Sequence, residues 1–292
     1  MKILTNCGVS WEEKESLWEA FCLDKKLKER QEMRQKLAYV LAFVGGGGKT
    51  SSIYRLAAES VKRRKKIIVM TTTHMLVPQK HCIFLENGQI DFEQIKERLS
   101  EDGIVIVGDK INEKKMSFVG EEIYQKLLEM ADIILVEADG SRHFPIKVPA
   151  SHEPVIPSKI DEIVCICGLS CYGKKASDVC FRLEQARQIR DRYQKNCSNL
   201  ESNLSREEKK IIQGIGFQKE EWIIGQKDIM YLMREGFLGP LREKQKNAEI
   251  SMMLTQADTK ELEKVGINIF KTMKEKGILI RALPLVSEYK KI

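Results

Sequence analysis

Short runs apolar on every residue alternate along most of this chain with longer stretches whose apolar residues recur at helical spacing. Residues 37–44, 67–71, 103–107, 133–136, 163–167, 250–254 and 278–283 form the first class, strand-sized and buried on both faces. Residues 50–64, 92–99, 121–130 and 262–273 form the second. Strands apolar on both faces need cover on both faces, so the alternation predicts a doubly wound α/β fold with a mostly parallel sheet. Upstream, Trp11, Trp18, Phe21, Cys22 and Leu27 are spaced among charges without Pro or Gly, which predicts a helix over residues 10–36. Ser10 and Glu13 read as its capping box. Charge rises between residues 177 and 222, which predicts a surface insertion of helical character. The expected organisation is an N-terminal helical extension over 1–36 and one α/β domain over 37–292 carrying that insertion.

Composition narrows the function classes. The chain has 292 residues, 42% hydrophobic and 31% charged, which suits a globular protein and excludes a disordered one. Its 49 Lys and Arg exceed its 42 Asp and Glu by seven. So small an excess fits anionic small ligands and gives no support to nucleic-acid binding. No apolar run approaches the roughly 18–20 residues of a membrane span, and the N-terminus lacks an apolar signal region, so the expected location is cytoplasmic. Eight cysteines in that compartment are expected to be buried hydrophobes or free thiols. Cys165 and Cys167 face the same side of one strand. They read first as core residues and second as a soft-ligand or sulfur- or selenium-handling pair.

The chemistry concentrates in four places. Phe43-Val44-Gly45-Gly46-Gly47-Gly48-Lys49-Thr50 joins a predicted strand to a predicted helix. Cradling phosphate takes backbone N–H groups free of Cβ clashes and the positive end of a helix. Lys49 would reach the outer phosphates, Thr50 would hold Mg²⁺, and Ser51 falls within the same turn. A strict phosphate loop would carry a glycine at position 43, where this chain has Phe43; shorter glycine runs occur in other nucleotide-binding proteins, Mur-type ligases among them.

A second buried strand ends in Glu137 and Asp139, two residues apart and so on one face. A phosphate-loop protein needs a carboxylate beside the phosphates for its metal, and either acid suits. Gly140-Ser141-Arg142 and Lys147 follow, in a proline-rich loop at the edge where α/β sheets bind ligands. Arg142 and Lys147 are candidate anion contacts. Thr71, Thr72, Thr73 and His74 end another strand, where Thr73 and His74 are candidates for phosphate or metal. Finally, Thr255-Gln256-Ala257-Asp258 resembles the [NT]-K-x-D guanine reader, with Gln256 in place of Lys. Thr255 and Asp258 would read the base, or else cap the following helix.

The glycine loop, Thr71 to Met75, Val136 to Arg142 and His152 to Pro157 together resemble the selenium-dependent hydroxylase accessory proteins, over about residues 37–292. That bacterial family is associated with selenium-dependent molybdenum hydroxylases and is similar in layout to metal-chaperone GTPases. The resemblance implies a phosphate-loop fold of the nucleoside-triphosphatase type. It also implies Mg²⁺ with GTP or ATP, and help in maturing a molybdenum hydroxylase or delivering its cofactor. Two alternatives use the same residues: an ATP-dependent ligase or kinase for a small anionic substrate, and a non-catalytic nucleotide-gated cofactor-binding module.

Overall fold

A computed structural model describes residues 2–6, 11–200, 221–275 and 280–285. The strands are β1 (Lys2–Asn6), β2 (Trp11–Lys14), β3 (Tyr39–Gly45), β4 (Ile67–Thr71), β5 (His74–Leu76), β6 (Cys82–Phe84) and β7 (Ile104–Asn112). They continue with β8 (Lys115–Ser117), β9 (Ile133–Glu137), β10 (Ile146–Lys147), β11 (Glu162–Gly168), β12 (Cys180–Phe181), β13 (Glu249–Thr255) and β14 (Ile280–Leu285). The helices are α1 (Leu17–Ala20), α2 (Leu23–Glu32), α3 (Lys49–Val61), α4 (Phe92–Glu101) and α5 (Glu121–Leu127). After them come α6 (Ala176–Val179), α7 (Leu183–Leu200), α8 (Gln226–Met233), α9 (Gly239–Lys244) and α10 (Lys260–Glu275).

One large sheet runs β2-β1-β14-β13-β11-β3-β9-β4-β7-β8-β5, with β6 beside β7. From β14 to β7 every pairing is parallel, which gives the expected doubly wound α/β architecture. Successive side chains of the central strands go to opposite faces. Val40, Ala42 and Val44 join Ile134, Val136, Cys165 and Cys167 in one core, with Leu99, Leu127, Ile229 and Ile269 from α4, α5, α8 and α10. Leu41 and Phe43 join Ile133, Leu135, Val164 and Ile166 in the other, with Ile53 and Leu56 of α3 and Trp18 of α1. Because each strand feeds two cores, its sequence is continuously apolar.

β3 lies between β9 and β11. The chain leaves β3 through α3 toward β4 on one side and later crosses to β11 on the other. That reversal opens a crevice at the carboxyl end of β3, where open α/β sheets take their ligands.

The N-terminal segment differs from the expected helix over residues 10–36. Trp11–Lys14 is a strand paired antiparallel with β1, and β1 pairs with β14, so this segment extends the sheet. The helix begins only after Ser16, whose hydroxyl accepts from the Glu19 N–H at 3.2 Å. Cys22 then takes a left-handed conformation that separates α1 from α2. Glu13 lies in β2, and Ser10 falls outside the described residues. The insertion expected over 177–222 contains α6, β12 and α7, and its residues 201–220 lie outside the described residues. Among the described residues no helix is long and apolar enough to cross a membrane.

Candidate functional site

The glycines at the end of β3 are required twice over. Gly45, Gly47 and Gly48 have φ of 98°, 83° and 117°, which side chains disfavour. A Cβ on Gly46 would stand 2.5 Å from the Phe144 carbonyl oxygen, and one on Gly47 2.5 Å from the Gly168 nitrogen. The loop therefore follows a backbone path closed to other residues, pressed between residues 144–145 and 168. It delivers the chain into α3, whose positive end opens beside it.

Lys49, the first residue of α3, is buried. Its Nζ donates to the Gly45 carbonyl at 2.6 Å and lies 3.1 Å from Asp139 Oδ1. Oδ1 accepts no hydrogen bond from that position, so the contact is one of charge. Asp139 Oδ2 accepts from the Gly45 N–H at 2.9 Å and stands 3.0 Å from Lys147 Nζ. Lys147 also donates to the Gly140 carbonyl at 2.7 Å and to Glu153 at 2.6 Å. Arg182 grips Glu153 with both terminal nitrogens, at 2.5 and 2.8 Å. Lys49, Asp139, Lys147, Glu153 and Arg182 thus form one chain of alternating charge. Burial alone would raise the Glu153 carboxyl, but hydrogen bonds from Arg182 and Lys147 outweigh it and hold it at about 2.

Glu137 occupies the other side of the loop. Thr50 Oγ1 donates to its Oε2 at 2.7 Å. Burial raises the Glu137 carboxyl; Lys49, the Thr50 hydrogen bond and His143 oppose the rise, and Asp139 adds to it. The Thr71 hydroxyl donates to the Glu137 carbonyl at 2.8 Å, tying β4 to β9.

Several expected site residues do other work. Asp139 was expected to be catalytic and to bind metal, yet it is fully buried and holds one backbone N–H between two ammonium groups. Through Oδ2 it positions the loop, while Oδ1 faces only the Lys49 ammonium. Lys147, expected to contact an anion, is itself fully buried and spent on Asp139, Gly140 and Glu153. Thr255 is buried under the loop, where its hydroxyl donates to the Gly47 carbonyl. Helix α10 is capped by neither Thr255 nor Asp258, for the Thr259 hydroxyl accepts from Leu262 N–H at 3.2 Å. Asp258 is exposed. Thr73 is half-buried and contacts Thr71, while His74 is exposed on β5. Ser51 is exposed next to Thr50, and Arg142 is exposed with its guanidinium 5.4 Å from the Phe181 ring.

Sequence reasoning missed Glu153, Arg182 and His143. Glu153 lay inside a quoted motif, but nothing in the sequence announced the partner 29 residues on. Arg142 and His143 have φ of 48° and 66°, and the Phe144 N–H donates to the Ser141 carbonyl at 3.0 Å. Positive φ at both central positions of such a turn usually calls for Asn or Gly, so this turn holds two strained basic residues beside the site. Cys165 and Cys167 are fully buried core residues. Burial pushes the Cys165 thiol up, and a hydrogen bond with Cys171 together with burial does the same for Cys167. Neither thiol is poised to react.

Strand, glycine loop and helix, with Lys and Thr at the helix start and an acid on the neighbouring strand, define a phosphate-loop α/β protein. Residues 41–184 match the YqeC protein family. The chain is 32% identical over 148 residues to the Escherichia coli (strain K12) protein described as uncharacterized protein YqeC, covering 49% of this chain and 57% of that one. It therefore spans little more than half the length of that relative. Among solved structures it is similar to HypB from Helicobacter pylori in complex with nickel, at 12% identity, over 87% of this chain and 95% of that one, with a TM-score of 0.30. The glycine loop, the 71–75 segment, the acid pair and the 152–157 segment all fall inside the matched family span; Thr255 to Asp258 falls beyond it.

Proposed function

We propose that this chain binds a Mg²⁺-nucleoside triphosphate, GTP or ATP, as an accessory protein in the maturation of a selenium-dependent molybdenum hydroxylase or the delivery of its cofactor. One observation carries the nucleotide part: Lys49 and Thr50 open a helix over left-handed glycines, and Thr50 is hydrogen-bonded to Glu137 at 2.7 Å. Phosphate oxygens would take over the Lys49 ammonium that Gly45 and Asp139 now hold. The Thr50 hydroxyl and Glu137 carboxylate are hard oxygen donors of the kind Mg²⁺ prefers. Among the described residues no group of three His, Cys, Asp or Glu is arranged to hold a metal. That suits an ion whose remaining ligands come from phosphate and water. When bound, Mg²⁺ would neutralise charge on the outer phosphates.

The accessory role rests on the family match and on the four motifs inside it. Calorimetric titration of Mg²⁺-GTP and Mg²⁺-ATP is expected to show binding that Lys49→Ala abolishes; unchanged affinity in that variant would sink the assignment. Association with an apo-hydroxylase is expected to depend on nucleotide, and equal capture with and without it removes the gating. A second reading, a ligase or kinase for a small anionic substrate, draws on exposed Arg142, two residues before the Phe144 that packs on Gly46. Transfer of an acyl or phosphoryl group to a second molecule, seen by product analysis, would select it over bare hydrolysis.

A further inference from the structure

We infer that Gln256 reads the base of the bound nucleotide, donating from its amide nitrogen to an acceptor at the purine 6-position and so favouring guanine over adenine. The inference rests on the proposed nucleotide site and assigns its base pocket. Glu137 and Thr50 lie on the β9 side of the loop, which sets the metal and terminal phosphate there. The rest of the nucleotide then extends the other way, over the ends of β11 and β13. The β13 end is two strands from β3, about 10 Å at the usual strand spacing.

Three features meet at that end. The Thr255 hydroxyl donates to the Gly47 carbonyl, which fastens the end of β13 to the loop. Gln256 follows in a left-handed conformation, φ 56°, which turns its side chain back across β11. There its Oε1 accepts from the Ser170 hydroxyl at 2.5 Å. The amide sits close to Gly168, where a Cβ would stand 2.2 Å from Oε1, 2.8 Å from the amide carbon and 3.1 Å from the Gly47 Cα. Gly168 is thus the gap that admits this side chain next to the phosphate loop.

With its oxygen held by Ser170, the amide has its two N–H donors left, and they bond no described residue. A donor pair suits the guanine 6-oxygen and N7 acceptors. Adenine presents an amino group at the same position, donor against donor. A strained residue, anchored oxygen and half-buried free donor beside the loop are hard to account for as packing alone. The Lys of the usual motif has no acceptor for Ser170 to hold, whereas Gln has one.

The test is nucleotide affinity of the full chain for Mg²⁺-GTP, Mg²⁺-ITP and Mg²⁺-ATP. ITP keeps the 6-oxygen but lacks the 2-amino group, so it isolates Gln256 from any reading of that amino group by Asp258. Gln256→Ala is expected to weaken GTP and ITP about tenfold, one good hydrogen bond, and to leave ATP unchanged. Gln256→Glu, which replaces the donor by an acceptor at nearly constant shape, is expected to reverse the preference toward ATP. Thermal melting equal to wild type shows that the fold survives. Equal losses for all three nucleotides, no loss for any, or a wild-type preference for ATP overturns the inference. Lys49→Ala in the same assay separates the two readings: if it loses every nucleotide while Gln256→Ala changes no preference, the phosphate loop stands and the base reader falls.

Discussion

The Lys49 ammonium lies 3.1 Å from the Asp139 carboxylate, both fully or nearly fully buried, with the Gly45 carbonyl 2.6 Å away as its second partner. A phosphate would have to compete for this cation, and it brings more negative charge than the two partners together. Lys49→Met is therefore expected to cost at least a hundredfold in nucleotide affinity, as loss of a charge-assisted contact to phosphate should. Asp139 would keep the Gly45 N–H and Lys147, so the protein is expected to stay folded, at a melting temperature lowered by the loss of one buried partner. Calorimetric titration and a thermal melt on the same sample check both halves.

Lys147 is buried between two acids, so its loss bears first on stability. Its removal leaves Asp139 and Glu153 each short of a buried cation. Breaking one side of a buried pair costs about 3–5 kcal/mol, so Lys147→Met is expected to unfold far more readily than wild type. Arg142→Ala, at an exposed site, is expected to cost less than about 0.5 kcal/mol. Urea titrations distinguish the two. A Lys147→Met protein of wild-type stability that fails to bind nucleotide would return Lys147 to the ligand contacts.

The contrast shows what the sequence could and could not convey. The strands that feed both cores, such as Ile67–Thr71 and Ile133–Glu137, were legible because burial on two faces leaves a continuous apolar run. The glycine loop was legible because its conformation and close approaches admit no other residue. Residues 10–36 misled because Trp11 fits a helical stripe as well as an edge strand. The interruption at Cys22 is a left-handed residue that no Gly or Pro announces. Lys147 looked like a phosphate contact since a lysine near a loop carries no sign of its own burial. The partners that bury it, Asp139, Glu153 and, through Glu153, Arg182, converge only in three dimensions. Gln256 stands where the guanine-reader pattern has Lys, and only the fold brings Ser170 and Gly168 beside it.

Gly46 offers a test of the loop that leaves every charge in place. A Cβ there would sit 2.5 Å from the Phe144 carbonyl oxygen and 3.1 Å from Pro145, both backbone. Backbone cannot move aside as a side chain can, so Gly46→Ala is expected to destabilise by about 1–3 kcal/mol through overpacking. It should also displace the 140–147 turn from the loop and weaken nucleotide binding. Gly140→Ala, with nothing within 4 Å of the added carbon, is the control and should stay near wild type. Chemical denaturation of both variants measures the difference.

Glu153 gives the molecule a defined acid sensitivity. Its carboxyl is held at about 2 in the folded chain by Arg182 and Lys147, against an ordinary value of 4.5. A group with a depressed folded pKa stabilises the fold fully above its unfolded pKa and loses that contribution as pH falls through the folded value. For Glu153 the contribution is intact above about pH 4.5 and declines between there and about 2. Glu153→Gln cannot titrate and lacks the charge that balances Lys147 and Arg182. It is expected to be less stable than wild type at neutral pH, and the gap should narrow steadily from pH 4.5 down to 2. Urea midpoints at a series of pH values measure that gap. A constant gap across the series would mean that the Lys147–Glu153–Arg182 contacts are not formed as ion pairs in solution.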